Sequence, residues 1–226
     1  MTKILYLFDV DGTLLRAGGA GSRAIDEVFR ARYGLDRAMD GIDPGGRTDP
    51  WILGEIFTAK LGRAPADGEI DAVLADYVPA LVRALAAAPQ FRVLPHVVEV
   101  LDWLGARGGV HLGVATGNVE PGARAKLDRG GLGDRFAFGG YGCDSAVRAE
   151  LVARAIARGV AVAGSAERVV VVGDTVHDVA AARACGAHVV AVATGTQSRA
   201  ALEAAAPDAV MDTLEGLPDW HAALVA

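Results

Sequence analysis

Positive charge is nowhere concentrated in this chain. Its 22 Lys and Arg against 28 Asp and Glu give a net charge of −6, with no basic run, which argues against a nucleic-acid surface. Cysteine is scarce: Cys143 and Cys185 have neither metal-ligand nor redox spacing, and they read as free thiols in a reducing compartment. Long apolar stretches are missing too, although 52% of the residues are hydrophobic; none approaches the roughly 20 residues of a membrane-spanning helix. The first apolar run ends at Asp9 after five residues, which is too short for a secretory leader. Internal repeats and low-complexity segments are also absent. The expectation is a cytoplasmic protein, a monomer or homodimer, with no nucleic-acid or membrane partner.

What is present begins with that first run. Ile4 to Phe8 leads directly into Asp9-Val10-Asp11-Gly12-Thr13. A short apolar run bounded by Gly reads as a buried strand, and two carboxylates at its end are costly unless they have work to do. Spaced two apart in an extended segment, Asp9 and Asp11 would point to the same side. Two close carboxylates repel unless a cation or a shared proton lies between them. The alternative is an Asx-type turn that simply ends the strand.

Downstream, helical patterns and apolar runs alternate. Strands are expected at Val110 to Ala115, Phe136 to Phe138, Val169 to Val172, His188 to Ala193 and Ala209 to Met211. Helices are expected at Val97 to Ala106, Ala123 to Arg129, Ala146 to Arg158 and Val179 to Cys185. This alternation implies an α/β fold with a doubly wound, Rossmann-like parallel sheet. Between the first strand and this region the pattern is helical throughout. Ala24, Ile25, Val28 and Phe29 form one stripe, a second helix opens at Thr48-Asp49-Pro50 and stops at Gly62, and a third covers about Asp67 to Ala88. Gly18-Gly19-Ala20-Gly21 does not follow the strand in the form of a phosphate cradle and reads as a connection into the insert.

In an open parallel sheet the loops at the carboxyl ends of the strands converge on one crevice. That rule gathers Asp9, Asp11, Thr116, Arg148, Asp174 and Asp178. Oxygen donors without paired Cys or His favour Mg2+. Thr116 offers a hydroxyl and Gly117-Asn118 offers backbone N–H groups at the start of a helix, a setting suited to phosphoryl oxygens. An ordinary strand-to-helix cap is the alternative there, and a surface arginine is the alternative for Arg148.

Taken together, Asp9-Val10-Asp11-Gly12-Thr13, Thr116-Gly117-Asn118, Arg148 and Gly173-Asp174-Thr175-Val176-His177-Asp178 resemble, in order, the motifs of the haloacid dehalogenase superfamily. The likeness extends over essentially the whole chain and is greatest to its phosphoglycolate phosphatase-like members with a helical cap. It implies a discontinuous core of residues 1–15 and 90–226 and a cap of residues 16–89. It further implies a Mg2+-dependent phosphatase of small phosphorylated metabolites. By the same resemblance Asp9 is the nucleophile and Asp11 the acid and base. Mg2+ would be held by Asp9, the Asp11 carbonyl and Asp174, with Asp178 assisting. Arg148 would neutralise the phosphoryl group and orient Asp9. Related helical-cap phosphatases bring the region of Gly45-Gly46-Arg47-Thr48-Asp49 over the crevice, which makes Arg47 the candidate for reading the distal part of the substrate; a solvated arginine is the alternative. Three other functions compete: a sugar-phosphate mutase of the β-phosphoglucomutase type, a 2-haloacid dehalogenase (disfavoured by Asp11) and a receiver-like phospho-binding module.

Overall fold

The computed structural model describes residues 2–226. Its centre is β1 (Ile4–Phe8), buried at every position. Such a strand, covered on both faces, needs an uninterrupted apolar sequence rather than an alternating one. β1 pairs in parallel with β4 (Val110–Ala115) on one side and β6 (Arg168–Gly173) on the other. β5 (Phe138–Gly140), β7 (His188–Val192) and β8 (Ala209–Met211) complete a six-stranded parallel sheet of order β5-β4-β1-β6-β7-β8. The strand order reverses about β1, so the loops after β1, β4 and β6 open into a single crevice.

Helices α4 (Val97–Gly105), α5 (Glu120–Arg129), α6 (Arg148–Ala163) and α7 (Val176–Ala184) connect the strands. Apolar clusters fill both faces of the sheet. No helix among the described residues is long and apolar enough to cross a membrane.

The helical block is interposed between two short strands, β2 (Leu15–Arg16) and β3 (Arg92–Val93), which pair antiparallel. Its helices α1 (Ala20–Tyr33), α2 (Asp49–Leu61) and α3 (Glu69–Ala86) share an apolar cluster of their own, including Phe29, Phe57 and Tyr77. The first glycines of Gly18-Gly19-Ala20-Gly21 serve the turn into α1, both with left-handed φ (61° and 76°).

Several boundaries differ from the sequence expectation. β5 lies at Phe138–Gly140 instead of Phe136 to Phe138. Its two glycines disguise it, yet a side chain at Gly140 would collide with the Leu151 carbonyl of α6. α5 starts at Glu120, with Pro121 in its first turn, rather than at Ala123. α7 starts at Val176, because Thr175 and Asp178 form a capping box. The β2–β3 ribbon and the helices α8 (Arg199–Ala204) and α9 (Leu217–Val225) had no clear local signal.

Candidate active site

After β1 the chain leaves the extended form. The Leu14 and Leu15 N–H groups both bond to the Val10 carbonyl, and Gly12 adopts φ +85°. Both carboxylates line the same cavity, but within this tight turn they reach different partners. Asp9 meets Arg148 (Oδ1 to Nη2, 3.0 Å), and Asp11 meets Lys126 (Oδ2 to Nζ, 2.5 Å).

Asp9, Asp174 and Asp178 form one buried cluster, offering carboxylate oxygens within 4.8 Å of one another. Arg148 is the cation that reaches into it. Its Nη2 and Nε lie 2.6 and 3.0 Å from Asp178 Oδ1. Burial works against the charged Arg148, but Asp178 and Asp9 more than offset it and hold its pKa above the usual range. Asp178 Oδ2 accepts from the Thr175 N–H and hydroxyl at 3.0 and 2.7 Å, so both its oxygens are engaged in fixing Arg148 and the start of α7. One guanidinium does not balance three acids. Burial, with Asp178 and Asp11 nearby, pushes Asp9 up to about 6 despite Arg148. Burial, then Asp9 and Asp178, push Asp174 up to about 8. A converging set of oxygen donors with surplus negative charge fits a hard divalent cation.

Asp174 is closely walled. Thr13 donates to its Oδ1 at 3.2 Å, and a side chain at either Gly12 or Gly195 would collide with it. Gly195 follows β7, in a loop with no motif of its own. That loop is tied back by the Thr194 hydroxyl to the Gly12 carbonyl (2.6 Å) and by Arg16 to the Thr194 carbonyl (2.5 Å).

At the end of β4, Thr116 and Asn118 are buried, and the Asn118 side chain serves the protein. Its Nδ2 donates to Asp11 Oδ2 and to Thr116 Oγ1, both at 2.8 Å, and its Oδ1 accepts from Lys126 Nζ at 2.5 Å. The Asn118 N–H points back to Thr116 Oγ1 at 3.4 Å. Lys126, 5% exposed on α5, was missed by sequence reasoning, because a lysine in a helix reads as surface. Its lone signal was a place in the helix that follows Thr116-Gly117-Asn118.

The helical insert closes the other side. The Asp49 N–H donates to the Gly117 carbonyl and Asp49 Oδ2 accepts from the Val119 N–H, each at 2.8 Å. A side chain at Gly117 would collide with the Arg47 carbonyl, so this glycine serves close docking of the insert. Arg148 Nη1 also donates to the Gly46 carbonyl at 3.2 Å, linking the insert to the acidic cluster. Arg47 itself is exposed, its guanidinium 4.3 Å over the Trp51 ring at the cavity wall. The partly open cavity between insert and sheet has a volume of about 930 Å3, and its lining includes Asp9, Asp11, Asp49, Thr116, Lys126 and Asp174.

A doubly wound parallel sheet with acids gathered at its topological switch point is a Rossmann-like α/β arrangement with a ligand crevice. Residues 5–186 match the haloacid dehalogenase-like hydrolase family, and the chain belongs to it. It is 31% identical over 212 residues to a Rhodospirillum rubrum protein named phosphoglycolate phosphatase, covering 93% of this chain and 76% of that one. It is 29% identical over 222 residues to phosphoglycolate phosphatase 1 of Pseudomonas aeruginosa, covering 94% and 78%. Among solved structures it shares the fold of a Pseudomonas syringae hydrolase (24% identity, TM-score 0.72, 99% and 100% coverage). It also shares the fold of CbbY from Rhodobacter sphaeroides in complex with phosphate (22% identity, TM-score 0.72, 96% of each chain).

Proposed function

We propose that the protein is a Mg2+-dependent phosphomonoester hydrolase of small phosphorylated metabolites, acting through an aspartyl phosphate on Asp9. The observation that carries this reading is the division of labour at the end of β1. Asp9 stands among buried acids beside Arg148, while Asp11, two residues on, is held separately by Lys126 and Asn118. A nucleophile and a proton donor need such different surroundings. The names of the curated relatives support the same activity.

In the first step a carboxylate oxygen of Asp9 attacks phosphorus, the ester P–O bond breaks, and Asp11 gives its proton to the leaving oxygen. In the second, water attacks the same phosphorus while Asp11 takes a proton from it, and the bond to Asp9 breaks to free phosphate. Arg148 holds Asp9 in place and offsets charge on the phosphoryl oxygens, with Thr116 donating to one of them. Asp9, Asp174 and the Asp11 carbonyl would hold Mg2+, with Asp178 fixing Arg148 and assisting. When bound, the cation offsets the charge gathered between these acids and the phosphoryl group.

Residues 1–15 and 90–226 serve in this reading as the core and residues 16–89 as the cap, with the β2–β3 ribbon as the joint. Arg47, at the cavity wall, would meet the distal part of a substrate.

Phosphate release from p-nitrophenyl phosphate tests the reading. Turnover should require Mg2+ and be inhibited by Ca2+, whose looser and higher coordination misaligns the nucleophile. Full activity after exhaustive chelation would overturn the metal assignment. Isomer formation from a sugar phosphate without phosphate release would assign a mutase instead.

A further inference from the structure

Asp174 differs from the other acids of the crevice in what holds it. Asp9 and Asp178 both meet Arg148, and Asp11 meets Lys126. Asp174 has no ion-pair partner among the described residues, and one hydrogen bond reaches its carboxylate, from Thr13 at 3.2 Å. Asp9 and Asp178 stand beside it, with like charge when ionised, and repulsion would turn so lightly held a side chain away. Its confinement is steric, because a side chain at Gly12 or at Gly195 would collide with Asp174 Oδ2. Main chain from two loops distant in sequence therefore walls the carboxylate.

These two walls are closed into a ring of hydrogen bonds. The Gly12 N–H donates to the Leu15 carbonyl at 2.8 Å. Arg16, the next residue, donates from Nη2 to the Thr194 and Gly195 carbonyls at 2.5 and 3.2 Å. The Thr194 hydroxyl returns to the Gly12 carbonyl at 2.6 Å. A further tie holds the same loop to α7, where Gln197 Oε1 accepts from the Val176 N–H at 2.8 Å. Two side chains thus close the ring, Arg16 and Thr194. Arg16 is half-buried and lies on β2, the strand that leads into the insert. It too has no ion-pair partner among the described residues, so its guanidinium is spent on main-chain carbonyls.

Rigid walls matter most for a cation that tolerates little error. Mg2+ demands near-ideal octahedral geometry at about 2.0–2.1 Å, whereas Ca2+ accepts looser coordination at about 2.3–2.6 Å. Selectivity between the two therefore depends on how firmly the ligands are held. Partners beyond the ligands themselves commonly set metal affinity. We infer that Arg16 and Thr194 are positioning residues for Asp174, locking its glycine walls so that the crevice selects Mg2+ over Ca2+. Both act through the main chain of Gly12 and Gly195. This rests on the metal assignment proposed above, in which Asp174 is a ligand.

The test measures cation binding without substrate. Apparent affinities for Mg2+ and for Ca2+ are read from the rise in melting temperature of chelator-stripped protein as each cation is added. Thr194→Val removes the hydroxyl and keeps the shape, and Arg16→Met removes the donors and keeps an apolar stem. Each should lower Mg2+ affinity by about tenfold and Ca2+ affinity by less, so that the ratio of the two falls. Thr194→Ser, which keeps the hydroxyl, should hold the wild-type ratio. A residue that only supports the fold would lower the melting temperature without cation and leave the ratio alone. Arg16→Met supplies a second readout should Thr194→Val fail to fold. An unchanged ratio in both variants would overturn the inference, and so would Thr194→Ser behaving as Thr194→Val does. A wild type whose melting temperature does not respond to Mg2+ would instead overturn the metal assignment, and this inference with it.

Discussion

Lys126 Nζ lies 2.5 Å from Asp11 Oδ2 and 2.5 Å from Asn118 Oδ1, so one ammonium joins α5, the β1 loop and the β4 loop. Under the phosphatase reading it holds the acid that serves the leaving group. Lys126→Met should lower kcat for an alkyl phosphate by about tenfold or more, and less for an aryl phosphate whose leaving oxygen needs little proton. Kinetics on the two esters, with a melting curve to establish folding, checks this. Equal losses on both would make Lys126 a fold residue only.

The two acids of the first loop should fail differently. Asp9→Asn removes the nucleophile, so no covalent phosphoenzyme should be trapped on rapid acid quench. Asp11→Asn removes the proton donor, so phosphorylation by esters with good leaving groups should suffer less than by alkyl phosphates. A uniform loss across leaving groups would contradict the acid role of Asp11.

Gly117 is pressed against the Arg47 carbonyl and the Thr48 backbone. Gly117→Ala should displace the insert loop from the core, costing about 1–3 kcal/mol of stability by overpacking. Urea denaturation measures that cost. Activity should fall together with stability, because the same contact adjoins Thr116.

Asp49 gives a pH dependence with a definite sign. Burial is the main cause that raises its folded pKa from 3.8 to about 6, against the opposing pull of Lys126 and the Val119 N–H. The contribution to stability is therefore fully present below pH 3.8 and is lost as pH rises through about 6. Integrating that window, the penalty for ionising Asp49 grows by about 1 kcal/mol between pH 5 and pH 7.5. Relative to wild type, Asp49→Asn should gain about that much stability over the same interval in urea denaturation. A wild-type-minus-variant difference that stays flat would place the charge of Asp49 in water.

Much of this protein is legible from its sequence because its signals are local. A central parallel strand must be apolar on both faces, so Ile4 to Phe8, Val110 to Ala115 and Val169 to Val172 mark three neighbouring strands. Acids at the ends of such strands are too costly to be incidental, and Asp9, Asp174 and Asp178 do meet in one cluster. The topological rule for parallel sheets brings the loops together without any knowledge of contacts.

Tertiary structure alone decided the partners. Lys126 meets Asp11 across 115 positions, and Asp49 meets Val119 across 70, distances over which periodicity carries no information. Lys126 is buried by packing around α5, Asp49 looks like an ordinary first-turn acid, and Tyr77 looks like any aromatic in a helical stripe. Gly195 walls Asp174 from a loop without a motif. Local sequence determines which segments bury themselves, because burial follows from apolar surface. Which polar side chains then face one another depends on how the buried segments pack, and that is a property of the whole chain.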